Sequence, residues 1–234
     1  MKTTSSICAL LALSVMSFSA CSDDDGDDEK SFTVTPSSVT FRHGDEVQLA
    51  TSDNTQVTWS VLDDYYAKVD DNGKLTALHV GATVAKATDS KGKFVAVPVA
   101  VVPKYLTYAE PYLNWGASKS EVKDKERRTL DREDDDNLFY TGDNFILGYV
   151  FKDGALSGAV IMLKSYDLEE VVEFLGERYW YLGKKDKMYL FSDERNVALG
   201  VQLRSLTTIA ITYVPYTASN KALSLDDFEF PDFE

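Results

Sequence analysis

The chain is poor in the residues on which most catalytic and metal chemistry depends. Its 234 residues include two cysteines, Cys8 and Cys21, and two histidines, His43 and His79. With no histidine after position 79, a Ser-His-Asp constellation or a two-histidine metal site in the second half is excluded. No G-x-S-x-G elbow, phosphate loop or zinc motif occurs. Clustered lysine and arginine are also missing, which makes nucleic acid a poor partner. The longest apolar run, Ile7 to Phe18, is broken by Ser14 and Ser17 and falls short of the roughly 20 residues a membrane-spanning helix needs. Carboxylates are abundant, at 38. A chain so rich in acids always offers candidate glycosidase pairs, so their presence decides nothing. The chain is therefore read as non-catalytic, with no cofactor.

The formal net charge is −14, but it is unevenly placed. Asp23, Asp24, Asp25, Asp27, Asp28 and Glu29 face only Lys30, and Asp226, Asp227, Glu229, Asp232 and Glu234 follow Lys221 at the other end. The stretch between them is left only mildly acidic. Six carboxylates in seven positions repel one another and carry no apolar side chains, so residues 21–31 read as an extended, solvated tether. A calcium loop from Asp23 would need Gly at its sixth position and Glu at its twelfth. The chain has Asp28 and Val34 there, and the tract 131–136 fails in the same way.

Residues 1–20 have the plan of a secretion leader: Lys2 in a short polar start, then the apolar run, then Ser19 and Ala20 ahead of Cys21. Once the leader leaves with Cys8, Cys21 is a lone thiol in an exported chain, with no partner for a disulfide. The preceding Phe18-Ser19-Ala20 resembles the lipobox of bacterial lipoproteins, in which Leu is more usual at the place of Phe18. The resemblance implies that Cys21 is the acylated first residue of the mature chain, and two acyl chains suffice for stable anchoring. The alternative is a plain secreted protein cleaved near Ala20. Ser22-Asp23-Asp24-Asp25 also resembles the signal that sends some lipoproteins across the outer membrane. The expected location is the outer membrane, lipid-anchored and facing the exterior.

From Ser31 to Pro103 short alternating runs such as "EVQLA", "QVTWSV" and "FVAVPVAVV" are separated by turn residues, notably Asp71-Asn72-Gly73. Period two at spacings of about ten residues predicts an all-β two-sheet sandwich over residues 32–103. The stretches "TPSSVTFRHGDEVQL", "VTWSVLDD", "AKVDDNGKLTALHVGATVAKAT" and "VAVPVAVV" resemble the bacterial immunoglobulin-like domain of group 2. That implies a disulfide-free spacer or binding module. Trp59 reads as core, and His43 and His79 as surface imidazoles.

After Pro103 the period changes to about 3.6. Ser118-x-x-Glu121 and Asp167-x-x-Glu170 are helix starts, the first predicting a helix from about Lys119 to Leu130. Three β-type runs follow each helix, and Asn144-x-x-Leu147-Gly148 recurs as Asn196-x-x-Leu199-Gly200 at an offset of 52. Residues 104–216 are thus expected to be an α+β module of two helix-plus-three-strand units with an antiparallel sheet, built by internal duplication. The whole is a two-domain chain with an acidic tail at 217–234. The plan of helix and meander, twice over, resembles the β-lactamase inhibitory protein, which implies a protein-binding sheet. "WGASKSEV" also resembles the opening of small outer-membrane assembly lipoproteins.

This module is rich in aromatics, which can fill a core or meet a ligand. Tyr179, Trp180 and Tyr181 are the candidate ligand-binding residues, Trp180 foremost. Arg178, Lys184, Lys185 and Lys187 form a modest basic patch, and Glu169, Glu170, Glu173 and Glu177 read as the wet face of the second helix. Three roles follow: binding a protein partner with the first domain as spacer, glycan binding at the surface, or a structural role in the envelope.

Overall fold

The computed structural model describes residues 32–185 and 187–216. The leader, Cys21, the acidic tether and the tail at 217–234 lie outside the described residues. Those from Phe32 onward fall within one compact unit.

The first part is built of nine strands: β1 (Val34–Thr35), β2 (Val39–Arg42), β3 (Glu46–Gln48), β4 (Ala50–Thr51), β5 (Val57–Val61), β6 (Ala67–Val69), β7 (Lys74–Ala77), β8 (Gly81–Asp89) and β9 (Phe94–Val102). They form a sheet in the order β2-β9-β8-β5, a second in the order β3-β7-β6, and a small β1-β4 ribbon. All ladders are antiparallel except β2 with β9. Alternation explains the packing. Val97, Val99 and Val101 of β9 point inward with Ala85 and Ala87 of β8, and meet Leu49 and Leu75 in one core. Trp59 packs against the edge of that core, as expected. The turn before β7 needs glycine. Gly73 has φ +80°, and a Cβ there would stand 2.7 Å from the Leu49 carbonyl and 2.9 Å from the Trp59 ring.

The second part has two α-helices among the described residues, α1 (Lys119–Lys125) and α2 (Leu168–Gly176). The Ser118 hydroxyl accepts from the Glu121 amide, and the Asp167 carboxylate accepts from the amides of Glu169 and Glu170. Helix α1 stops five residues short of the expected Leu130. Glu126 turns extended, and its carboxylate is held by Arg128 at 2.8 Å and by the Tyr149 hydroxyl at 2.5 Å.

Four strands follow each helix, where three were expected. After α1 come β10 (Leu130–Glu133), β11 (Asn137–Gly142), β12 (Phe145–Lys152) and β13 (Ala155–Lys164). After α2 come β14 (Trp180–Lys185), β15 (Met188–Ser192), β16 (Val197–Ser205) and β17 (Thr208–Pro215). All eight join one antiparallel sheet in the order β10-β11-β12-β13-β17-β16-β15-β14. The strands missed as such by pattern are β10 and β14, the two edges. Edge strands bury little and so carry no clean alternation.

The ladders repeat at the offset seen in the sequence. Leu147 pairs with Ile161 and Gly148 with Val160, while Leu199 pairs with Tyr213 and Gly200 with Thr212. The Lys164 amide donates to the Asn144 carbonyl, and the Tyr216 amide to that of Asn196, both at 2.8 Å. At the centre of the sheet the equivalent residues Val160 and Thr212 pair with each other, as an approximate two-fold axis through that point requires.

Candidate functional site

Pairing across eight strands assigns each side chain of the sheet to a face. On one face Leu138, Tyr149, Ala159, Tyr213, Leu199 and Phe191 follow one another from strand to strand. These residues form a single core with Val122 of α1 and Val171, Phe174 and Leu175 of α2. Both helices therefore lie on this side. So does the strap of residues 103–118, whose Tyr105, Tyr108, Tyr112, Leu113 and Trp115 pack on the same core.

The other face carries different chemistry. Its middle row runs Phe139, Gly148, Val160, Thr212, Gly200 and Leu190. A second row runs Thr141, Ile146, Met162, Ala210, Gln202 and Met188. Val160 and Met162 of β13 face Thr212 and Ala210 of β17 at the centre, with Gly148 and Gly200 on either side, while Phe139, Ile146 and Met188 stand further out. Val160 and Leu190 of the middle row are themselves buried, whereas Phe139, Ile146, Met162, Ala210 and Met188 are half-buried and leave apolar surface that a partner could meet, methionine adapting to irregular shapes.

A polar cluster ties the strap to the module. Tyr179 donates to the Glu110 carboxylate at 2.7 Å, Arg178 stands 3.6 Å from it, and the hydroxyls of Tyr108 and Tyr213 meet at 2.6 Å. Burial pushes Glu110 above the ordinary carboxylate range, against the opposing pull of Tyr179 and Arg178. It also drives Tyr108, Tyr179 and Tyr213 well up. Each of these groups is spent on another member of the set, which is the arrangement of a structural knot.

A second cluster joins the first part to the second. His79 stacks on Tyr65 with ring centroids 4.2 Å apart, and Trp180 meets it edge to face, also at 4.2 Å. His79 Nδ1 lies 2.8 Å from the Tyr65 carbonyl. Burial lowers its pKa, and His43 and Arg195 push the same way. The Tyr65 hydroxyl donates to the Arg178 carbonyl, and the Val80 amide donates to that of Glu177 at 2.7 Å. Arg195 grips both carboxylate oxygens of Asp63, at 2.6 and 2.9 Å. That fork holds Asp63 below the ordinary carboxylate range.

Several sequence expectations need correction here. His79 is 1% exposed, not a surface imidazole, because it fills the junction between the two parts. Glu177 is 4% exposed and off the wet face of α2; its carboxylate accepts from the amides of Lys104 and Tyr105. Arg178 leaves the basic patch: it lies over the Phe174 ring and bonds the Phe174 carbonyl at 2.7 Å. Tyr179, Trp180 and Tyr181 do not converge on one surface. Tyr179 is spent on Glu110, whereas Trp180 remains 36% exposed while also meeting His79, and Tyr181 is 54% exposed beside Tyr189 and Phe191. Strand alternation turns Trp180 and Tyr181 to opposite faces, and Glu110, 69 positions away, claims the Tyr179 hydroxyl.

Residues 29–100 match the family model of the bacterial Ig-like domain (group 2). The nine strands described above fall almost wholly within that match. No curated protein matches the chain.

Proposed function

We propose that the chain is a non-catalytic lipoprotein of the bacterial cell surface. In this reading Cys21 carries the lipid, residues 22–31 are the tether, the Ig-like part is a spacer, and the sheet of residues 104–216 binds a protein partner. The helix-plus-strands units come from an internal duplication, which the repeated register at offset 52 supports.

The single observation that carries the reading is the two-sidedness of the sheet. One face is filled by both helices and the strap, while the other carries no helix among the described residues and, though Val160 and Leu190 are buried in it, leaves Phe139, Ile146, Met162, Ala210 and Met188 partly exposed. Glycan capture draws little support from the same rows. Sugars stack on exposed rings, yet the ring of these rows, Phe139, lies under the Arg132 guanidinium at 4.2 Å, and the exposed Trp180 and Tyr181 stand outside them.

The test is capture from the native cell surface with the full chain and with a Thr212→Arg variant, which puts a long charged side chain at the centre of the face. A partner held by the wild type and lost by the variant is expected; equal capture by both would sink the reading. For the anchor, Cys21→Ala is expected to move the protein from the membrane to the soluble fraction.

A further inference from the structure

We infer that the partner taken by the helix-free face is an acidic polypeptide, a proposal that rests on the protein-binding reading above. The chain carries 38 acids against 24 lysines and arginines, yet the charges on this face run the other way. Arg132 pairs with Phe139 of the middle row, and Lys152 and Lys164 follow the inward-pointing Phe151 and Leu163, so alternation turns them to this side. The Arg204 guanidinium bonds the Gln202 amide oxygen at 3.0 Å, which places it there too. Among the described residues the opposing charges are Asp131 at the β10 edge, which accepts from Thr141 at 3.1 Å, and the exposed turn residues Asp153 beside Lys152 and Asp143 near Lys164.

The cations stand around the apolar rows rather than within them. Lys152 and Lys164 are exposed, and neither forms an ion pair with a described residue. A positive rim around an apolar floor steers and orients a partner whose carboxylates flank aliphatic side chains. An acidic polypeptide has that pattern. An anionic polysaccharide has the charge but would leave Ile146, Met162 and Met188 without apolar contact.

The experiment uses the full chain and poly-L-glutamate as probe, with polygalacturonate as the second arm. The triple variant Lys152→Glu, Lys164→Glu, Arg204→Glu is set against an off-face control, Arg42→Glu, Lys68→Glu, Lys125→Glu. All six positions are exposed, and unchanged thermal unfolding verifies the fold of each variant. Expected are binding of poly-L-glutamate that weakens with added salt, a loss of tenfold or more in the face variant and less than threefold in the control. Equal loss in both variants, no binding by the wild type, or tighter binding of polygalacturonate overturns the proposal. So does a tenfold gain on neutralising Asp226, Asp227, Glu229, Asp232 and Glu234, which would make the chain's own tail the occupant. A native partner captured equally by the wild type and the face variant refutes the acidic partner while leaving protein binding intact; no capture by the wild type refutes protein binding itself.

Discussion

Trp180 meets His79 edge to face across 101 positions of sequence, their ring centroids 4.2 Å apart. The contact joins the first strand after α2 to the turn before β8, so the Ig-like part and the sheet are held by packed aromatics as well as by the covalent strap. A double-mutant cycle of His79→Ala and Trp180→Ala should return a coupling of about 0.5–1.5 kcal/mol. Equilibrium urea unfolding of the four proteins measures it. Additive effects would mean that the rings touch without contributing.

The same histidine gives the chain an acid sensitivity. Its folded pKa lies below the ordinary 6.5, so at pH just under 6.5 the unfolded chain binds the proton first. Stability is unaffected by His79 above that value and falls as the pH drops through it toward the folded pKa. His79→Phe should remove this part of the slope below about pH 6.5. Melting temperatures of both proteins across that range decide the matter, and parallel curves would refute the assignment.

Glu110 acts with the opposite sign. Its folded pKa is raised, so the stability it contributes is full below the ordinary 4.5 and is lost as the pH rises through the folded value. Glu110→Gln keeps an oxygen to accept from Tyr179 and removes the ionisation. The variant is expected to be less stable than the wild type near pH 4 and to regain ground as the pH rises, ending within about 1 kcal/mol at pH 7. Chemical denaturation at pH 4, 5.5 and 7 measures this; a constant difference would show that Glu110 does not titrate in this window.

Gly73 and Gly92 separate two costs of a left-handed turn. Both have φ near +80°, but a Cβ at Gly92 meets open space, whereas one at Gly73 would strike the Leu49 carbonyl and the Trp59 ring. Gly92→Ala should cost about 1 kcal/mol from backbone strain alone, and Gly73→Ala about 2–4 kcal/mol. Thermal unfolding of the pair is the check, and equal losses would contradict the crowding at Gly73.

Much of the fold was legible along the chain because it is written in local periodicity. Alternating valines and alanines marked β8 and β9, capping residues marked the starts of both helices, and the recurrence of Asn144 and Leu147 at Asn196 and Leu199 marked the repeated hairpin. Strands β10 and β14 escaped because an edge strand need not alternate. His79, Glu177 and Arg178 were misplaced because their partners are distant: Trp180 for the first, the amides of Lys104 and Tyr105 for the second, and Phe174 with Glu110 for the third.

The sequence by itself determined the inner strands and the starts of both helices, where the acidic tracts lie, and the resemblance of the first part to a known family. Tertiary structure alone decided which side chains share a surface. Strand order brings Arg132, Lys152, Lys164 and Arg204 to the same face of one sheet, although they lie up to 72 positions apart in the chain. Side-chain direction within a strand is local, but which strands become neighbours is settled only when the sheet closes over its core.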